Sequence, residues 1–146
     1  MKLLKLSPEQ LMQHWPYVRE CLVLSLPPYV TSDQDNILRI QERLLIGSLE
    51  CWACINDTTG EFLGIVTTQI VVDEATMTRN LFLFSITLTE EHENRIWTEG
   101  YSHFSRYAAS KGCNAIIAYT NQPAVIMLAK TLGADTEWHL LKFPIL

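Results

Sequence analysis

The sequence predicts one α/β domain built around a single central sheet, and three observations support this prediction. The apolar residues follow a helical period up to residue 47, a strand period between residues 50 and 88, and then alternate between the two. A polar turn at residues 56–60 joins two of the strands as an antiparallel hairpin. The length of 146 residues is that of one domain, so we predict a single domain over residues 1–146.

The N-terminal third predicts a short strand over residues 2–6, followed by a helix. Ser7 and Gln10 have the spacing of a capping box, in which each side chain satisfies a backbone N–H of the first turn. Pro16 is expected to kink or split this helix, because its ring removes a backbone donor and clashes with the preceding turn. A second helix is predicted from the start signal at Thr31-Ser32-Asp33 to Gly47, which suits a helix C-terminus.

The middle of the chain predicts three antiparallel strands, and the last part alternates between helix and strand. Trp97, Tyr101 and Phe104 share one face of the long helix, so we expect that stripe in the core. The apolar run at residues 114–120 is expected to be a strand buried on both faces. In total we predict a mixed, mostly antiparallel sheet of about six strands flanked by about four helices; the elements are strands 50–55, 61–72, 81–88, 114–120 and 138–145 and helices 90–111 and 123–133.

Composition and charge indicate which classes of binding partner suit this chain. The net charge is −5, and the Lys and Arg residues are scattered, which argues against nucleic acid and anionic membrane surfaces. No window approaches the ~18 apolar residues of a membrane span, and Met1–Lys5 lacks the apolar stretch of a signal peptide. Four cysteines do not suggest a disulfide scaffold. We therefore expect a cytoplasmic protein whose partner is another protein or a second copy of itself.

The cysteine and histidine residues do not form a predicted metal or nucleophilic site. Cys51 and Cys54 are three apart on a predicted strand, so their side chains point to opposite faces. His92 and His103 are eleven residues apart on one helix, about 16 Å along its axis, and cannot chelate one ion together. Cys113 has no histidine that can be placed beside it as a base. We expect no metal.

Four segments of the second half resemble the GNAT superfamily of N-acetyltransferases. The first segment is the apolar strand, and the second is the end of the long helix. The third segment precedes the last helix, and the fourth is the end of that helix. The resemblance implies the GNAT fold and an acetyl-CoA site, and it covers the order of elements along most of the chain. The segments are LFLFSITL at 81–88, YAASKGC at 107–113, AIIAYTN at 115–121 and AKTLGA at 129–134.

The chain departs from the family pattern where acetyl-CoA should bind. Family members hold the pyrophosphate with a glycine-containing loop at the start of the long helix, which falls on residues 92–97 here. Arg95 and Trp97 occupy both glycine positions, and three glutamates, at 90, 91 and 93, place negative charge where a phosphate would bind. The family tyrosine that protonates the leaving thiolate is replaced by Ala129. These departures predict a degenerate acetyl-CoA site.

Two functions are consistent with these features. The first is a non-catalytic binding or structural module with no cofactor. It would be similar to small GNAT-like proteins encoded by bacteriophages, and would be found in the host cytoplasm or the virion. The alternative is an active N-acetyltransferase that uses acetyl-CoA. The resemblance then implies cofactor contacts from the backbone of Ile86 and Leu88, from Arg95 and from Asn121, which is equally explained as a turn residue. The catalytic residues are not identified.

Overall fold

The computed structural model describes residues 1–88 and 94–146, with the backbone alone at Asn94. The described part contains five strands and five helices. The strands are β1 (Lys2–Lys5), β2 (Glu50–Ile55), β3 (Phe62–Asp73), β4 (Thr78–Leu88) and β5 (Ala115–Ala118). The helices are α1 (Pro8–Gln13), α2 (Trp15–Ser25), α3 (Gln34–Ile46), α4 (Asn94–Ser110) and α5 (Pro123–Thr131).

The five strands form one sheet in the order β1-β2-β3-β4-β5. The first four strands are antiparallel to their neighbours, whereas β4 and β5 are parallel. Helix α4 supplies the crossover that a parallel pair requires. The predicted mixed, mostly antiparallel sheet is therefore confirmed.

Two apolar cores lie on the two faces of the sheet. On one face, α1, α2 and α3 pack against the sheet around fully buried residues such as Leu11, Val18, Leu22 and Ile65. On the other face, α4 packs through Phe104 and Ala108 against Trp52, Val66 and Leu81. Neighbouring residues of β2 and β3 alternate between the two cores, as the pleat of a strand requires.

The predicted helix boundaries in the first third are confirmed. Ser7 and Gln10 form the capping box, with the Ser7 backbone N–H donating to Gln10 Oε1 at 2.9 Å and the Gln10 backbone N–H to Ser7 Oγ at 3.2 Å. The predicted helix splits at His14 into α1 and α2, with Pro16 in the first turn of α2, and this split explains the fifth helix. Asp33 caps α3 by accepting from the Asn36 N–H, and Gly47 ends it in the left-handed conformation with φ of 87°.

Three expectations for the second half are wrong. Residues 138–145 form no strand, because this segment pairs with no described edge of the sheet. β5 is not buried on both faces: Ile116 packs against the α4 core, but Ile117 is exposed because none of the described helices covers it on the other face. Tyr101 is also exposed, since α4 turns Phe104 and Ala108 towards the sheet instead.

The predicted start of the long helix at residue 90 lies outside the described residues, which resume at Asn94. Of the helices that the described ranges contain, none combines the length and apolar character needed to cross a membrane.

Candidate functional site

The parallel strands β4 and β5 separate part-way along β4. Their pairing begins at Asn80 and Ala115 and ends at Leu83 and Ala118. Beyond Leu83, β4 continues to Leu88 and remains paired with β3 on its other side. Within the described ranges no strand pairs with the β5-side edge of residues 84–88. The backbone groups along this edge therefore face an opening at the carboxyl ends of two parallel strands.

A β-bulge marks the point where the two strands separate. Thr67 pairs with Ser85 and Thr68 pairs with Leu83, so Phe84 is an extra residue on β4. Such a bulge bends the strand and increases its local twist. The hydroxyls of Thr67 and Ser85 lie 2.5 Å apart in a buried contact directly beside the bulge. The bend is therefore fixed by a satisfied polar pair inside the sheet.

The last turn of α2 holds the far end of β4. Thr87 Oγ1 donates to the Cys21 carbonyl oxygen at 2.8 Å and lies 2.6 Å from Ser25 Oγ. Ser25 Oγ is itself 2.9 Å from the same carbonyl oxygen. On the β3 side, Gly64 allows close approach, because a Cβ atom there would overlap the Thr87 carbonyl oxygen. These contacts hold residues 84–88 in place although β5 does not pair with them.

Aromatic side chains form a cluster beside the point where β4 and β5 separate. The Tyr119 ring, one residue beyond β5, lies edge-on to Phe82 at 5.6 Å and to Tyr29 at 5.9 Å. Phe82 in turn contacts the bulge residue Phe84 at 6.0 Å. Burial, with a smaller effect from Tyr119, raises the pKa of Tyr29, so its phenol is neutral near neutral pH. The cluster is apolar apart from the hydroxyls of Tyr29 and Tyr119.

Three of the four predicted cofactor residues lie at this end of the sheet. Ile86 and Leu88 are half-buried on the unpaired part of β4, opposite Val66 and Gly64 of β3. Asn121 is exposed in the short connection between β5 and α5. The carboxyl ends of parallel strands are where α/β sheets bind ligands, so their placement is consistent with a ligand site.

The fourth predicted cofactor residue, Arg95, faces a different region. It lies at the start of α4 and is exposed, and its Nε is 3.1 Å from Glu99 Oε1. Arg95 lines a groove of about 550 Å³ formed with the N-terminal residues of the chain, including Lys2, and with His103 and Arg106 of α4. Trp97 is half-buried, whereas residues 92 and 93 of the predicted loop lie outside the described residues.

The cysteines are placed as predicted and have the properties of core residues. Cys51 belongs to the core under α1–α3, and Trp52 next to it belongs to the opposite core, so Cys54 points away from Cys51. Burial raises the pKa of Cys51 to about 12, which leaves its thiol protonated and unreactive. In the part of the chain that the structure describes, no group of three or more His, Cys, Asp or Glu side chains could hold a metal ion.

Comparison with known proteins gives structural matches alone. No protein-family model matches the sequence, and no curated protein matches it. Among solved structures, a "probable acetyltransferase" superposes with a TM-score of 0.74 at 15% identity, over 99% of this chain and 98% of its own. The chain has the GNAT fold.

Two further GNAT-fold neighbours have named activities. The ribosomal-protein-alanine N-acetyltransferase of Brucella melitensis biovar Abortus 2308 has a TM-score of 0.68 at 12% identity, covering 99% of this chain and all of that one. The aminoglycoside acetyltransferase AAC(6')-Iy, with a bisubstrate analogue of CoA, has a TM-score of 0.70 at 16% identity, with 99% and 97% covered. At these identities the likeness establishes the fold.

Two residues at the opening, Tyr29 and Tyr119, were not identified from the sequence. Tyr119 was predicted inside the strand 114–120, but β5 ends one residue before it, at Ala118. Because β5 is parallel to β4, Tyr119 lies at the carboxyl end of a parallel strand, where ligands bind in α/β sheets. Tyr29 lies in the connection between α2 and α3, and no motif around it indicates that it reaches β5.

Proposed function

We propose that the opening between β4 and β5 binds the pantetheine arm of acetyl-CoA, and that the chain transfers the acetyl group to an amine. The observation that supports this proposal is the unpaired edge of β4 at residues 84–88, which begins at the Phe84 bulge. A strand edge that is held in place but left unpaired is suited to an extended ligand carrying amide groups.

Pantetheine meets that requirement, because its two amides lie along an extended chain. In an antiparallel pair, alternate residues direct their N–H and C=O away from the partner strand. Alternate residues between Phe84 and Leu88 therefore offer hydrogen bonds to the ligand, as was predicted for Ile86 and Leu88. Acetyl-CoA, as the substrate, supplies an acetyl group activated as a thioester.

The reaction forms a bond between the amine nitrogen and the acetyl carbonyl carbon and breaks the carbon–sulfur bond. The amine loses a proton to a water molecule, which acts as the base, and the departing sulfur gains one. Residues 84–88 carry no acid or imidazole, so positioning of the amine beside the thioester provides most of the rate enhancement. The phenol hydroxyls of Tyr29 and Tyr119, on the same side as Phe84, are the candidate donors of the proton that the sulfur gains.

A second candidate is a non-catalytic binding or structural module, like the small phage-encoded proteins that the sequence resembles. The observation that favours it is the replacement of both loop glycines by Arg95 and Trp97, next to three glutamates in the sequence. Large side chains and negative charge both oppose a pyrophosphate at that position. In this case the fold is retained and no cofactor is used.

Calorimetric titration with acetyl-CoA separates the two candidates. The natural chain is compared with Arg95→Gly/Trp97→Gly, which restores both loop glycines. The matched control is Tyr101→Gly/Arg106→Gly, which removes an aromatic residue and an arginine from exposed positions of the same helix. Each variant places two glycines in α4, so the control shows whether glycines in this helix affect binding in general.

Binding by the natural chain is the expected result. It would be followed by detection of released CoA thiol with a panel of amines that includes an aminoglycoside and a peptide with N-terminal alanine. Tyr119→Phe should then lower the turnover and leave acetyl-CoA binding unchanged. Binding by the loop variant alone would support the non-catalytic module, and binding by neither would overturn the assignment of the opening.

A further inference from the structure

A pocket of about 310 Å³ lies between α3 and the sheet and reaches the bulge of β4. The bulge residue Phe84 is half-buried against the core under α1–α3, so the pocket is on that side of the sheet. It therefore lies directly beside the point where the unpaired edge of β4 begins. Its lining includes Arg39, Arg43, Ser48, Leu49, Gln69 and Phe84.

The end of α3 brings two arginines and two turn residues together. Arg39 and Arg43 are four residues apart on α3, so their side chains are neighbours on one face. After the left-handed Gly47 the chain turns back along the helix. The Leu49 backbone N–H donates to the Arg43 carbonyl oxygen at 3.2 Å, and Ser48 Oγ donates to the same oxygen at 3.4 Å. Ser48 and Leu49 therefore complete the wall that begins with the arginines.

The pocket carries positive charge, and its lining contains no carboxylate. Arg39 Nη1 donates to Asn36 Oδ1 at 3.2 Å. Hydrogen bonds from Thr31 and Asn36, and to a smaller degree the charge of Arg39, lower the pKa of Asp33. Arg43 forms no ion pair with a carboxylate of residues 1–88 or 94–146. In a chain of net charge −5, this pocket is a local site that attracts an anion.

The unpaired edge determines which end of acetyl-CoA meets this pocket. β4 and β5 are paired up to Leu83 and Ala118, so the bulky nucleotide of CoA has no room at that end. The nucleotide must lie beyond Leu88, and the narrow pantetheine arm then runs along the edge towards Phe84. This direction places the thioester beside the pocket.

We propose that the pocket holds the acetyl acceptor, and that the acceptor is a small primary amine that carries a carboxylate. This inference rests on the proposed transferase function and specifies its substrate class. Arg39 and Arg43 hold the carboxylate by charge-assisted hydrogen bonds. The half-buried Gln69 offers a further side-chain N–H donor, and Phe84 gives the carbon chain of the acceptor an apolar surface. The amine then faces the thioester, and the carboxylate is unchanged by the reaction.

The same charges oppose acceptors with many positive charges. An aminoglycoside carries several protonated amines, which two neighbouring guanidinium groups repel. We therefore expect a substrate class that differs from that of the aminoglycoside acetyltransferase AAC(6')-Iy, although the fold is shared.

The first measurement compares two matched acceptors by the release of CoA thiol. The dipeptide amides of sequence Ala-Glu and Ala-Gln share the N-terminal amine and differ in one carboxylate. The KM of the acidic dipeptide should be about tenfold lower or less, as expected for a hydrogen-bonded ion pair. This preference should decrease as the ionic strength rises, because salt screens the two arginines.

The second measurement tests the two arginines. Arg39→Gln and Arg43→Gln keep a residue of similar helix propensity at each position, and each should remove most of the preference for the acidic dipeptide. The binding of acetyl-CoA should be unchanged in both. Arg43→Lys should recover part of the preference, because it keeps the charge and loses the planar fork. The matched control is Arg19→Gln, at an exposed position of α2 outside the pocket, and it should keep the full preference.

The results distinguish this inference from the function on which it rests. Equal KM values for the two dipeptides, or a preference that survives both arginine substitutions, would overturn the inference and leave the transferase function in place. Faster acetylation of neutral amines or of an aminoglycoside than of the acidic dipeptide would have the same meaning. A natural chain that binds no acetyl-CoA in the calorimeter would overturn the proposed function and this inference together.

Discussion

Residues 1–108 and residues 109–146 use apolar side chains in opposite ways. The first region builds both cores, and its buried side chains come from every helix from α1 to α4. Ala108 is the last buried residue along the described chain. Beyond it, α5 and the C-terminal segment expose Met127, Trp138, Leu141 and Phe143.

Helices α3 and α5 illustrate this difference in the burial of apolar side chains. α3 alternates polar and apolar residues and buries Ile37, Ile40 and Leu44, because its apolar stripe faces the sheet. α5 has the sequence PAVIMLAKT and buries none. Apolar content therefore does not decide burial by itself: a helix also needs a facing surface.

The largest expected effect is the difference between a core leucine and a C-terminal leucine. Leu22 is fully buried, so Leu22→Ala should lower the free energy of unfolding by ~2–5 kcal/mol through lost contacts and a cavity. Leu141→Ala, measured in the Trp138→Ser/Phe143→Ser background, should change it by less than ~0.5 kcal/mol. Urea denaturation measures both, and a large loss at Leu141 would show that the segment packs on its own chain.

Substitution of two glycines by alanine tests how closely β3 approaches β4 at the candidate site. Gly64→Ala should destabilise the fold by ~1–3 kcal/mol, because the new Cβ meets the Thr87 carbonyl oxygen and the Leu88 side chain at 2.9 Å. Gly100→Ala is the control: its nearest contact is 3.9 Å away at Met1, and a helical alanine should stabilise by ~0.5–1 kcal/mol. The two variants should change the thermal unfolding midpoint in opposite directions. Changes in the same direction would contradict the close approach at Gly64.

A smaller effect is expected from pH through His103 on α4. Its ring packs against Trp52 at 5.2 Å and Phe104 at 5.1 Å, and its buried Nε2 has no hydrogen-bond partner among the described residues. Burial, and then the charge of Arg106, lower the pKa of His103. The unfolded chain therefore binds a proton more readily, so this contribution to stability is complete above about pH 6.5 and is lost as the pH falls below it.

The matched variant for this pH dependence is His103→Phe, which keeps an aromatic ring and cannot be protonated. As the pH falls from about 7 to about 5, the unfolding midpoint of the natural chain should fall relative to that of His103→Phe. Parallel pH profiles for the two proteins would contradict the role of His103.

Much of the fold could be predicted because its signals are local. The capping box at Ser7, the break at Pro16 and the left-handed Gly47 each depend on a few neighbouring residues, and all three are confirmed. Four segments of the second half suggested the GNAT fold, and the order of elements agreed with it. The placement of Ile86, Leu88 and Asn121 at one end of the sheet follows from that order, and their role in binding remains a prediction.

The sequence by itself determined the helix boundaries of the first third, the antiparallel strands and the absence of a catalytic acid on residues 84–88, because each follows from residue type and spacing. The tertiary structure decided that β4 and β5 separate after Leu83, that Tyr29 meets Tyr119, and that residues 138–145 form no strand. These features depend on which surfaces face each other across the sheet. A periodic pattern specifies that a segment suits a strand, but the pairing edge belongs to another part of the fold, or to another chain.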